Sequence, residues 1–230
     1  MPDRWLHIKK IVMAALLVAV PLSPSIIMAQ GGKPSVLTPS EKYSDPAWKQ
    51  KATKYSPRLN DIYKAHVKKY KQDQIHFLTT AESSVGGIGF WPSPVNYGDP
   101  SRYLSVMARV RCPEPCTGRA FPDTQTGRIM TVMDAFGKFT IGELAKQLKE
   151  INDPAIKGAA IIFIYDRKAV TAPDFESNAE AFALFIPKDA VIKFAELRMT
   201  IQSLFSQSQM LPVFKGGEQI KNLRLYIIQP

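Results

Sequence analysis

An α+β fold with a mixed or antiparallel sheet is what this sequence predicts, and three observations predict it. Residues 102–111 alternate Leu104, Val106, Ala108 and Val110 with Tyr103, Ser105, Met107, Arg109 and Arg111, the period-2 pattern of a half-buried strand. Residues 158–166 are apolar on both faces, as befits a central strand. Apolar residues also recur at helical spacing in stretches set between the strand-like ones. From about residue 128 the order reads strand, helix, strand, strand, helix, strand. That is the βαββαβ order of a ferredoxin-like sandwich, with the 102–111 strand added at its edge and an N-terminal amphipathic helix in front.

The chain of 230 residues, 45% hydrophobic, suffices for one good-sized core. Its first 29 residues read as a secretory signal: Arg4, Lys9 and Lys10 form a basic start, residues 11–20 are an unbroken apolar run, and Ala29 stands at a cleavage point. Pro21, Ser23, Pro24 and Ser25 interrupt the run before it reaches a spanning length. The alternative is that the segment stays attached as an anchor, since Ile26, Ile27 and Met28 lengthen it. The expectation is an exported protein, periplasmic or secreted, that starts near Gln30 and meets membrane only peripherally unless the segment is retained. No Asn-x-Ser/Thr sequon occurs in the chain.

Residues 30–55, with Gly31, Gly32, Pro34 and Pro39, read as a flexible leader, and 56–230 as one domain. Ser56 and Pro57 make a helix start, cap and first position. Leu59, Ile62, Tyr63, His66, Val67 and Tyr70 then form an apolar stripe, with Arg58, Lys64, Lys68, Lys69 and Lys71 around it. Formal charge is +10, and removal of residues 1–29 leaves 27 basic against 19 acidic residues, or +8. Residues 42–71 hold nine Lys or Arg against Asp45 and Asp61, so nearly all of the excess lies here.

Residues 75–80 form a short strand. Residues 83–100 follow as an irregular, proline-rich connection carrying Phe90, Trp91 and Tyr97, aromatics that either plug a core or line a small-molecule groove. Its glycines lack the spacing and the following helix of a dinucleotide loop. The 102–111 strand ends in Cys112-Pro-Glu-Pro-Cys116. These are the chain's two cysteines, and in an exported protein they read as a disulfide that pins a turn, worth roughly 2 kcal/mol for so short a loop. The spacing is not that of a thioredoxin motif, and two thiols without histidines make no zinc site.

Residues 128–136 read as a strand. Thr140 and Glu143 form a capping box for a helix with Ile141, Leu144, Ala145, Leu148 and Ile151 on one face, ended by Asp153 and Pro154. The doubly apolar strand follows, then a loop over 167–178 and a strand at 180–187. Pro187 and Asp189 begin a helix through about Phe205, and residues 223–228 are the last strand.

The chemistry-bearing residues are sparse. Outside the first 29 residues the histidines are His66 and His76, neither in a ligand pair, so neither a metal nor another cofactor is expected. No Gly-x-Ser-x-Gly elbow occurs. His66, on an apolar helix face, reads as a hydrogen-bonded core residue. The leading expectation is a non-catalytic binding protein that turns Arg58, Lys64, Lys68, Lys69, Arg109 and Arg111 toward a protein partner or an anionic envelope component, with no nucleic acid as ligand. Two alternatives stand beside it. One is an extracytoplasmic hydrolase in which Asp134 or Asp166 works with a second carboxylate such as Asp174 or Glu176. The other is a small-molecule binder built on Phe90, Trp91 and Tyr97.

Overall fold

Strand β4, Ile156–Asp166, is the spine of the sheet. Every residue from Gly158 to Tyr165 is buried, as a strand covered on both faces and paired on both edges requires. In the computed structural model the described residues are 34–83, 85–92, 99–111, 122, 124–166 and 179–215, and all belong to a compact unit spanning Pro34–Pro230. Residues 1–29, Tyr97, Cys112, Cys116, Asp174, Glu176 and the strand expected at 223–228 lie outside the described residues.

The remaining elements, in chain order, are α1 (Pro46–Lys69), β1 (Ile75–Phe77), β2 (Ile88–Pro92), β3 (Arg102–Val110), α2 (Gln125–Val132), a π-helical segment (Met133–Gly137), α3 (Lys138–Glu150), β5 (Ala179–Pro187), α4 (Lys188–Ala195), α5 (Ile201–Gln207) and β6 (Gln209–Lys215). The strands form one mixed sheet in the order β1-β3-β4-β5-β6, with β2 also on β3. β3 runs parallel to β4, with Leu104 opposite Ala159 and Val106 opposite Ile161. β5 lies antiparallel to β4 and β6 antiparallel to β5. β1 and β2 share the outer edge of β3, pairing Phe77 with Ala108 and Phe90 with Leu104. The expected addition of the 102–111 strand beside the doubly apolar one is therefore what the register shows.

The expected order does not survive in detail. Residues 128–136 are helical: Thr124 caps α2 by accepting the Gly127 N–H, and Ile129, Val132, Met133 and Phe136 recur at helical spacing on the buried side. The strand-helix-strand-strand-helix-strand sequence starts one strand earlier, at β3. Consecutive strands are sheet neighbours, so the crossover through α2 and α3 is not the split one of the ferredoxin-like arrangement. β6 closes this order among the described residues.

The other departures also have local causes. α1 begins at Pro46, not at Ser56: Asp45 accepts the Ala47 N–H, Pro46 occupies the first turn, and Pro57 sits inside the helix. An internal proline costs about 3 kcal/mol. Burial of Trp48, Ala52 and Tyr55 on the stripe that continues through Leu59, Ile62 and His66 offsets it. Residues 36–55 are thus packed against the sheet, and Leu37 bridges Ile88. Thr140 is no cap, because the helix already runs through it. Residues 88–92 are a strand, not an irregular connection. The helix expected over 189–205 is two helices: Leu197 takes a φ of 60° between them, and Thr200 caps the second by accepting the Ser203 N–H.

The described helices pack on one face of the sheet. There Leu104, Val106, Ile161, Phe163, Phe182 and Leu184 meet Leu59 and Ile62 of α1, Ile141, Leu144 and Leu148 of α3, and Val191 of α4. The other face carries Trp91, Met107, Ala160, Ile162, Ile164, Ala181, Ala183 and Phe185, and draws on no helix among the described residues. Gly158 lacks a side chain where the Ile186 carbonyl of β5 crosses closest, and a Cβ there would collide with that oxygen.

One ion pair lies inside the helix-side core. Glu180 of β5, fully buried, accepts from Arg128 Nε at 2.9 Å and Nη2 at 2.6 Å, while Arg128 Nη1 donates to the Pro122 carbonyl at 3.2 Å. Glu180→Ala is expected to cost about 3–5 kcal/mol by removing the carboxylate that a buried cation faces. An apolar replacement of both Arg128 and Glu180 should recover most of that loss. Urea unfolding of the single and double variants measures it.

Candidate functional site

The residues expected to bind divide between two faces. On α1, Lys51 and Arg58 turn toward the end of α3 and pair with Asp153 and Glu150. Asp153 also accepts from the Tyr55 hydroxyl at 3.4 Å and the Ala155 N–H at 3.0 Å. Arg58 is thus tied to its own fold. Lys69 lies with its ammonium 6.0 Å from the centre of the Phe139 ring. Lys64, Lys68 and Lys71 are exposed and have no carboxylate partner among the described residues.

Positions 64, 67 and 68 share the helical repeat, so Lys64, Val67 and Lys68 form one outward patch, and Lys71, two residues past the helix end, is exposed beyond it. Val67 was expected on the buried stripe. It is 48% exposed instead, because Ile62, His66 and Leu59 already fill the contact with the sheet and α3. Lys49 and Lys54 extend the same positive surface toward the start of the helix, Lys54 lying 5.1 Å from the Tyr55 ring centre.

Arg109 and Arg111 are not part of this surface. The inward residues of β3 on the helix side are Leu104, Val106, Ala108 and Val110, so Arg109 projects to the opposite face with Met107. There His76 stands opposite Arg109 in the β1–β3 register, and His76 Nε2 bonds Glu82 at 3.0 Å. Asp166, at the end of β4, lies beside both arginines. Burial pushes its carboxyl above the ordinary range, and the Arg111 and Arg109 charges only partly offset this. The structure therefore joins Arg109, Arg111 and Asp166, and separates all three from α1.

Asp134 does not meet Asp166. It lies in the π-helical segment on the helix side and pairs with Lys138 at 2.7 Å, both groups about half exposed. Among the described residues, the charges acting on Asp166 are those of Arg111 and Arg109, and no group of three or more His, Cys, Asp or Glu side chains that could hold a metal occurs. Phe90 and Trp91 are strand residues on opposite faces. Phe90 packs 5.5 Å from Trp48, and Trp91 is 3% exposed. Neither is presented to solvent as a loop aromatic would be.

Two polar pairings escaped the sequence reading. The Arg128–Glu180 pair was signalled by a single acid inside the apolar segment AEAFALFIP, which burial would forbid without a cation. Tyr165, opposite Glu180, has its hydroxyl pushed well above the ordinary range by burial and then by the Glu180 charge. The second pairing joins α1 to α3: His66, fully buried, contacts Thr140 and Phe139. His66 was expected as a hydrogen-bonded core residue, and the structure places it so.

The sign of the Asp166 shift yields a measurable consequence. A carboxyl whose folded pKa is raised weakens the fold above that pKa, and the penalty disappears as pH falls through it toward the unfolded value. Asp166→Asn should accordingly be neutral or stabilising near neutrality, with the difference from wild type shrinking on acidification. Thermal melts across that range check it. Comparison of the chain with protein-family models, with curated proteins and with solved structures finds no match to any of them.

Proposed function

We propose that this is an exported, non-catalytic binding domain that engages an anionic envelope component or an acidic partner through the outward face of α1. The observation that supports the reading is the patch of Lys64, Val67 and Lys68, with Lys71 beyond it. It combines exposed ammonium groups free of carboxylate partners among the described residues with an exposed apolar side chain. Positive charge draws an anionic surface from a distance, and Val67 gives the contact a short apolar component. No described helix is long and apolar enough to cross a membrane, so the contact is peripheral in this reading.

Arg58 drops out of the binding set because Glu150 holds it, and Lys69 contributes charge above Phe139. Arg109 and Arg111 belong to the other face and act there with Asp166. For the hydrolase alternative, Asp134 and Asp166 stand on different faces and its other carboxylates, Asp174 and Glu176, lie outside the described residues; the aromatic-groove alternative lacks an open Trp91. Export itself rests on residues 1–29, and the Cys112–Cys116 bridge on export.

Two measurements test this. Each lysine held near an anionic surface contributes about 1 kcal/mol, so replacing Lys64, Lys68 and Lys71 together by Ala should weaken binding to vesicles containing phosphatidylglycerol by roughly a hundredfold. Binding by wild type should fall steeply with salt, and salt-independent binding or an unaffected triple variant would sink the proposal. Intact mass of the protein recovered outside the cytosol should correspond to a chain starting near Gln30 whose two cysteines resist alkylation until reduced. Retention of residues 1–29, or two freely alkylated thiols, would contradict it.

A further inference from the structure

Where α1 crosses α3, a histidine is buried in a hydrogen-bond arrangement that accepts either protonation state. His66 Nδ1 lies 2.8 Å from the Ile62 carbonyl oxygen, which can only accept, so Nδ1 carries a proton. Nε2 lies 2.9 Å from Thr140 Oγ1. That hydroxyl has one proton and two candidate acceptors, because Thr140 Oγ1 is also 2.9 Å from the Phe136 carbonyl oxygen. With a neutral ring the hydroxyl donates to Nε2. With a charged ring Nε2–H donates to Oγ1, and the hydroxyl proton turns to Phe136. A rotation about one C–O bond converts the two, with no backbone movement.

The Phe136 carbonyl belongs to the π-helical segment, Met133–Gly137, a single wide turn of a kind often found at functional positions. Geometry thus permits the cation, and the surroundings oppose it. His66 is fully buried against Phe77 and Phe139, at 5.3 and 5.1 Å between ring centres. Burial holds its pKa below the ordinary value, against the Ile62 hydrogen bond and the Glu143 charge, which raise it. The charged and titratable groups around it are few. α3 contributes Glu143, itself paired with Lys146. α1 contributes Lys69, above Phe139, and Tyr70, whose hydroxyl burial pushes up to about 12. β1 contributes only the apolar Phe77 on this side, since His76 points to the other face.

We propose that His66, Thr140 and the Phe136 carbonyl form a proton-sensitive joint that loosens the seat of α1 on α3 as pH falls below that of an ordinary histidine. A ring whose folded pKa is depressed contributes stability that is fully present above the unfolded value of about 6.5 and is lost as pH drops through 6.5 toward the folded value. The loss falls on α1, the helix that carries the exposed lysines. The joint does not depend on what α1 binds, so it stands or falls separately from the binding proposal.

The test is a pH titration of the full chain, isotope-labelled, with His66 ring signals assigned by His66→Phe and amide exchange followed over residues 59–69. The expected result is a neutral ring with the proton on Nδ1 near neutrality and protonation below pH 6.5. Exchange protection of 59–69, corrected for the intrinsic rate, should fall about tenfold for each unit that the ring is depressed. Thr140→Val should lower the His66 pKa further, because the charged Nε2–H loses its acceptor, and Thr140→Ser should restore the wild-type value. His66 titrating at or above 6.5, protection in α1 unchanged while the ring protonates, or an equal acid loss in His66→Phe would each overturn the proposal. If His66→Phe does not fold, the wild-type titration and the Thr140 pair decide it.

Discussion

β4 cannot be moved to an edge or a surface without exposing an unbroken row from Gly158 to Tyr165, and that double burial constrains everything around it. A strand with two apolar faces needs a neighbour on each side as well as cover above and below. β3 supplies one neighbour in parallel, which demands a long crossover, and α2, the π-helical turn and α3 provide it. β5 supplies the other as an antiparallel return. The crossover then has to lie over the sheet, and it brings with it the residues that form the helix-side core.

Burial of this depth also governs where charge can sit. Inside the helix-side core the charged side chains that do occur are matched: Glu180 meets Arg128 in a two-pronged pair, and Glu143 meets Lys146 at the margin. Such a pair contributes little net stability over an apolar one, but it fixes α2 against β5 because neither partner tolerates separation. Unmatched lysines are displaced to the outer side of α1. Arg109, Arg111 and Asp166 fall at the ends of β3 and β4 on the opposite face, where the period of two in a strand sends them.

The long helix from α2 to α3 shows how a local irregularity serves packing. Ile129, Val132, Met133 and Phe136 set one stripe, and Ile141, Leu144, Ala145 and Leu148 set another, and the π-helical turn between them re-phases the helix so that both face the sheet. Gly137 leaves the room that Met133 fills. The same turn places the Phe136 carbonyl within reach of Thr140, and Thr140 within reach of His66, so a buried polar contact between α1 and α3 arises where the helix is irregular.

Periodicity alone determined that this chain is α+β, that residues 102–111 and 158–166 are strands, that the second is central, and that a basic amphipathic helix precedes them; each follows from side-chain patterns that the chain carries locally. The strand misread at 128–136 had a helical stripe in it, but a short apolar run satisfies both periods, and only packing on β3 and β4 decides between them. Pro57 looked like a start because proline favours the first turn, whereas Trp48 and Tyr55 held the helix together for nearly three turns before it. Among the candidate binding residues, Lys64, Lys68 and Lys69 were legible as charge. That Arg58 is consumed by Glu150, and that Arg109 and Arg111 stand on another face, were not. Partners distant in sequence, such as Arg128 with Glu180 or His66 with Thr140, are settled by tertiary structure alone, because a buried polar group names the kind of partner it needs and never its position.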